Sequence, residues 1–208
     1  MVDFQYFNEE LFAEEVSLSK IATEVATPFY CYSAASLKRN FNNFEAGLNG
    51  LDAKIFYAVK ANSNIGILAT LAQLGAGADI VSGGELERAL ISGFSADNII
   101  FSGVGKTREE LQKAISSGIK QFNIESRPEL IILDKIATEM NVRAPIAIRV
   151  NPNIDAGTHF KITTGKSENK FGIDIEKARS LYAEAHKLKG ICIKGVAVHI
   201  GSQLTDLT

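Results

Sequence analysis

Six short apolar runs, rich in β-branched and aromatic residues, punctuate the chain at residues 55–59, 78–82, 99–102, 121–124, 146–150 and 195–200. The first four begin about 22 residues apart, and helical patterns fill the intervals, among them 84–92, 108–116, 128–140 and 175–188. Runs of this length flanked by Gly, Ser and Asn read as strands. Their alternation with helices predicts βαβ units around a parallel sheet. Before this rhythm sets in, residues 4–7 read as a short strand and a helix is expected from about Ser19. Residues 27–33 are held extended by Pro28 and its aromatic neighbours, and Ser33 caps a helix that starts near Ala34.

Two α/β architectures satisfy the alternation. A doubly wound open sheet would favour a Gly-x-Gly-x-x-Gly turn after its first strand, and none follows residues 55–59. The expectation is therefore a TIM-type (β/α)8 barrel. Such a barrel takes about 250 residues, and this chain of 208 reaches six of the eight strands. It is expected to be the front part of a longer protein. Residues 1–33 form an N-terminal segment and 34–208 the first six β/α units.

Composition narrows the partners. The net charge of −2 gives no sign of nucleic acid or an anionic membrane as partner. No apolar run approaches the roughly 18 residues of a membrane span, and no basic stretch of the signal-peptide kind opens the chain. Cys31 and Cys192 lie far apart and are expected as reduced thiols of a cytoplasmic protein. No metal site is expected.

The chemistry-bearing residues sit at strand ends, where parallel α/β folds place their sites. Lys60 closes the run Phe56-Tyr57-Ala58-Val59-Lys60-Ala61-Asn62. A lysine there is costly unless paired, deprotonated or covalently used, and burial would favour the neutral amine that attacks an aldehyde. Asp79, Ser82 and Glu85 follow at three-residue spacing. Glu85 in a first helical turn also suits a plain capping role. Arg149 interrupts an apolar strand and calls for an anionic partner, either an acid on a neighbouring strand or a ligand. His199 ends the sixth run and is followed by Gly201 and Ser202, a pair suited to close approach of an anion. Taken alone, His199 equally fits a hydrogen-bonded core histidine.

Together these residues, in this order, resemble the pyridoxal-phosphate-dependent decarboxylases built on an alanine-racemase-like barrel, and within them the diaminopimelate decarboxylases. The loop segments 155–165 and 170–173 resemble the latter as well, although His159 is given no catalytic step. The resemblance implies that Lys60 is the Schiff-base lysine for pyridoxal 5'-phosphate. Asp79 and Glu85 would lie in the cofactor's supporting network, Arg149 beneath it, His199 on one face of its ring and Ser202 at its phosphate. The implied activity is decarboxylation of meso-2,6-diaminopimelate to L-lysine, in a homodimer. The alternatives are a decarboxylase of ornithine, arginine or carboxynorspermidine, or a non-catalytic barrel that carries the cofactor. The family's C-terminal β-domain, its phosphate-binding glycine turn and the acid that pairs with the pyridine nitrogen are expected beyond these residues. The fragment is accordingly expected to be inactive alone, with its N-terminal strand lacking the β-domain it would pair into.

Overall fold

The computed structural model describes residues 3–154 and 171–202. It opens with β1 (Phe4–Phe7), β2 (Glu10–Ala13) and β3 (Val16–Ser17), a small antiparallel sheet in the order β1-β2-β3. The expected strand at 4–7 forms, and β2 pairs with it along its full length. Strands β2 and β3 carry no sequence signal: four and two residues are too few to display an alternation. Ser17 then caps α1 (Leu18–Val25) through Lys20 N. Ser33 caps α2 (Ala34–Gly47) through Ser36 N. Two side-chain bridges tie the N-terminal segment to α2. Asp3 takes both guanidinium nitrogens of Arg39, and Glu14 Oε1 accepts from Ser33 Oγ (2.8 Å) and Ala35 N (2.9 Å) at the positive end of the helix.

From residue 56 the alternation is as regular as the sequence implies. The elements are β4 (Phe56–Ala58), α3 (Ile65–Gln73), β5 (Gly77–Ile80), α4 (Gly83–Ile91), β6 (Ile99–Phe101) and α5 (Arg108–Ser117). They continue with β7 (Gln121–Ile124), α6 (Arg127–Glu139), β8 (Ala144–Asn151), β9 (Ile173–Asp174), α7 (Ile175–Ala185) and β10 (Ile191–Ala197). The main sheet is parallel and runs β4-β5-β6-β7-β8-β10, with β9 paired to the end of β8. Apart from the short β9, each strand lies beside its predecessor in sequence, and the order never reverses. A doubly wound sheet reverses at a switch point. Sequential winding is that of a (β/α)8 barrel arc, as expected. The last strand ends at Ala197 rather than at residue 200, which leaves His199 and Ser202 on the loop beyond it.

Why each strand gives way to a helix is legible in the caps. Asn64, Ser82, Thr107, Ser126 and Asp174 each turn a side-chain oxygen onto a first-turn N–H. Three of these turns read Ser/Thr-x-x-Glu: Ser82 with Glu85, Thr107 with Glu110, and Ser126 with Glu129. Pro128 adds a ring suited to the first turn of α6. Phe122 and Ile124 are fully buried with the helix residues Leu111, Leu130 and Leu133, each contributing about 1.5–3 kcal/mol of burial. Their neighbours Gln121 and Asn123 point to the other face, by the two-residue period of a strand. Gly190 marks a close approach to α6: a Cβ there would meet Asp134 O at 2.5 Å.

Candidate active site

The turn after β4 is a single 3-10 turn, Val59–Ala61, with Val59 fully buried and Lys60 on its exposed side. The buried strand-end lysine anticipated from the sequence is not what forms. The strand stops one residue early, at Ala58, and the turn rotates Lys60 outward while Val59 takes the core position. Asn62 Oδ1 accepts from Asn64 N (3.0 Å) and Asn64 Oδ1 from Gly66 N (2.9 Å), which fixes the path from this turn into α3.

Lys60 faces a recess of about 320 Å³ at the strand ends. Asp79, Arg149, His199 and Ser202 line the same recess. Five of the six anticipated residues therefore converge on one place. The sixth, Glu85, does not line it. Its Oε2 accepts from Val81 N at 2.7 Å, one residue ahead of the cap. Glu129 reaches Glu125 N in the same way two turns further on (3.1 Å). Glu85 is thus a reach-back cap, and the capping alternative is the one its geometry supports.

Arg149 finds the acid that one of its two readings calls for. Its Nη1 donates to Glu125 Oε1 (2.8 Å) and Oε2 (3.0 Å), an acid just past the neighbouring strand β7. The guanidinium also lies 5.0 Å from the centroid of the Phe171 ring. Glu125 is buried and takes Gly103 N as well (3.0 Å).

Electrostatics in the recess are set by burial and a cluster of cations. Burial pushes the Asp79 carboxyl above its ordinary value, opposed by the Ser102 hydrogen bond and by Lys60, Arg149 and His199. Burial likewise holds His199 below the ordinary imidazole value, with Arg149 and Lys60 adding to the effect and Asp79 opposing it. A ring held that way is neutral at neutral pH and suited to stacking.

Sequence reasoning missed several residues here. Ser102, Asn123 and Phe171 also line the recess. Beside it, Lys106 is buried, with Nζ donating to Gly103 O (2.6 Å), Asn123 O (2.8 Å) and Glu129 Oε1 (2.7 Å). The polar alternation Gln121-Phe122-Asn123-Ile124 and the Ser126-x-x-Glu129 spacing were the available signals. Lys106 had none, since two of its three acceptors lie 17 and 23 residues away in sequence. The expected loop residues 155–165, including His159, and Lys170 lie outside the described residues. Among the described residues no cluster of His, Cys, Asp and Glu is arranged to hold a metal ion. No helix there is long and apolar enough to cross a membrane.

The arrangement has known counterparts. Residues 34–208 match the family model described as the pyridoxal-binding domain of the pyridoxal-dependent decarboxylases. The chain belongs to the pyridoxal-dependent decarboxylase family. It is 54% identical over 205 residues to the diaminopimelate decarboxylase of Pseudomonas fluorescens, covering 98% of this chain and 49% of that protein. It is 47% identical to the Aquifex aeolicus diaminopimelate decarboxylase, covering 98% of this chain and 48% of that one. The crystal structure of Helicobacter pylori diaminopimelate decarboxylase complexed with L-lysine superposes with a TM-score of 0.88 at 43% identity. It covers 91% of this chain and 48% of that one. The chain spans about half the length of the curated relatives it matches. The sequential parallel sheet is thus the pyridoxal-dependent decarboxylase barrel, seen over its first six strands.

Proposed function

We propose that the protein, at its full natural length, removes carbon dioxide from meso-2,6-diaminopimelate to give L-lysine, with pyridoxal 5'-phosphate as cofactor. One observation carries the reading. Lys60, Asp79, Arg149, His199 and Ser202 converge on a single recess, in a chain 54% identical to a diaminopimelate decarboxylase over nearly its whole length.

The donor set fits the cofactor. It offers a primary amine for an aldehyde, a flat neutral imidazole for a ring, and a hydroxyl beside a glycine for a phosphate. A volume of about 320 Å³ is at the small end of ligand sites. Lys60 Nζ would hold the aldehyde carbon, His199 one ring face and Ser202 Oγ the phosphate. When bound, the cofactor supplies a protonated pyridine ring that takes up the electron pair left as carbon dioxide departs. Asp79 provides the counter-charge among Lys60, Arg149 and His199. Glu125 keeps Arg149 turned into the recess.

The test is carbon dioxide release and L-lysine formation from meso-diaminopimelate by the full-length protein, beside Lys60→Ala. Wild-type turnover with activity at background in the variant is the expected result. Turnover of ornithine or arginine in preference to diaminopimelate would overturn the substrate. Cofactor binding with no turnover of any of them would leave a non-catalytic carrier. The same reading makes the working form a cytoplasmic homodimer, with residues 1–33 set against the remainder of the longer protein. The two free thiols, Cys31 and Cys192, agree with a reducing compartment. Light scattering on the full-length protein checks the dimer.

A further inference from the structure

A row of polar side chains crosses three neighbouring strands on the inner face of the sheet and ends at Asp79. Gln121 Nε2 donates to Asn123 Oδ1 (2.8 Å), Asn123 Nδ2 donates to Ser102 Oγ (2.9 Å), and Ser102 Oγ donates to Asp79 Oδ1 (2.5 Å). Gln121 and Asn123 share a face because they stand two residues apart in β7. Ser102 follows β6, and Asp79 lies in β5, the next strand over.

The direction of this row follows from the inventory of donors. An amide has distinct donating and accepting ends, so Gln121 fixes which end of Asn123 meets Ser102. A hydroxyl has one proton. With Asn123 donating to it, the Ser102 proton has Asp79 Oδ1 as its acceptor. Asp79 is therefore held as an acceptor at that oxygen. Reversing the row requires a protonated Asp79 donating to Ser102 and both amides turned over together. The polarisation of each bond by the next resists that change.

We propose that Gln121, Asn123 and Ser102 are positioning residues that hold Asp79 as an ionised acceptor in the recess. Such a device has a load to bear, because burial drives the same carboxyl toward its neutral form. The charged and titratable groups that face Asp79 from the other elements are Lys60 after β4, Arg149 on β8 and His199 after β10. An ionised Asp79 balances them, and a neutral one leaves the recess with surplus positive charge.

The experiment reads the carboxyl itself and is independent of which amino acid is the substrate. Aspartate carboxyl carbons are labelled with carbon-13 in the full-length protein as purified, and the Asp79 signal is assigned by its loss in Asp79→Asn. In Ser102→Ala its titration midpoint is expected to rise by about one to two pH units, the equivalent of one hydrogen bond to a charged acceptor. Asn123→Ala leaves the serine in place and is expected to raise the midpoint by less. Ser102→Thr keeps the hydroxyl and is expected to keep the wild-type midpoint. An unmoved midpoint in Ser102→Ala or in Asn123→Ala overturns the relay. An equal rise in Ser102→Thr overturns it too, since the hydroxyl would not be the agent. Should Ser102→Ala fail to fold, Asn123→Ala decides.

Discussion

Two lysines stand just past strand ends, two strands apart, and the structure treats them in opposite ways. Lys106, after β6, has a side chain 1% exposed, and each of its three protons has an acceptor: Gly103 O, Asn123 O and Glu129 Oε1. Lys60, after β4, is exposed and faces the recess. A lysine whose donors are all used is a clamp and offers no lone pair to a ligand. One that is exposed at the edge of a recess is placed to react. A buried charge therefore marks structure here, and an open one marks chemistry.

The contrast breaks most sharply at Lys106. Lys106→Met removes the cation and leaves the Glu129 charge buried without its ion-pair partner, which is expected to cost about 3–5 kcal/mol, measured by urea unfolding of the full-length protein. The loss is expected to depend on pH. Burial already pushes Glu129 above the ordinary carboxylate value of 4.5, with Lys106 opposing it. Without Lys106 the folded-state value rises further, so the stability deficit is largest at high pH and shrinks as pH falls and Glu129 takes up a proton. Adding Glu129→Gln, which can still accept from Glu125 N, is expected to recover most of the loss. No recovery would mean that Lys106 acts through the two carbonyls instead.

Glu85 sharpens the same comparison at a smaller scale. The family resemblance sets it beside the cofactor, yet its carboxylate is taken by Val81 N. Glu85→Ala is expected to cost about 1 kcal/mol, the worth of a helix cap, with the cofactor still fixed to the chain by borohydride. Loss of that fixation with stability unchanged would return Glu85 to the site.

How much of this is legible in the sequence depends on the range of the interaction. The alternation of strands and helices is local, and the order β4 to β10 follows it, although β10 spans Ile191–Ala197 rather than 195–200 and the short β9 is not anticipated. The caps at Ser82, Thr107 and Ser126 are local as well, since each spans three residues. Lys60, Asp79, Arg149, His199 and Ser202 stand out because each lies near or just past the C-terminal end of a strand, and parallel winding brings strand ends together. Ser102, Asn123, Glu125 and Lys106 escape for the converse reason. Their partners are 17 to 24 residues away in sequence, on adjacent turns, and no single-segment pattern records them. The exposure of Lys60 escapes because ending β4 at Ala58 rather than Val59 turns the next side chains over.

Lys60 itself gives a smaller effect on stability. Replacing an exposed side chain outside the packed core changes stability by within about 0.5 kcal/mol, so Lys60→Met is expected to unfold at the wild-type urea concentration while losing borohydride fixation of the cofactor entirely. A large drop in stability would make Lys60 a second clamp and erase the contrast with Lys106.

The finest test uses His199 as a reporter of which lysine's charge reaches the recess. Its ring is held below the ordinary imidazole value first by burial and then by the cations Arg149 and Lys60, with Asp79 opposing. Removing a cation favours the protonated ring, so Lys60→Met is expected to raise the His199 midpoint toward 6.5, read by proton NMR with the signal assigned by its loss in His199→Asn. The Lys106 charge is neutralised at close range by Glu129. In the Lys106→Met/Glu129→Gln protein, which removes both charges, the midpoint is expected to stay where it is. Equal movement in the two variants would mean that the recess responds to any change at the strand ends. Movement with Lys60 alone would assign the open lysine to the recess and the closed one to the scaffold.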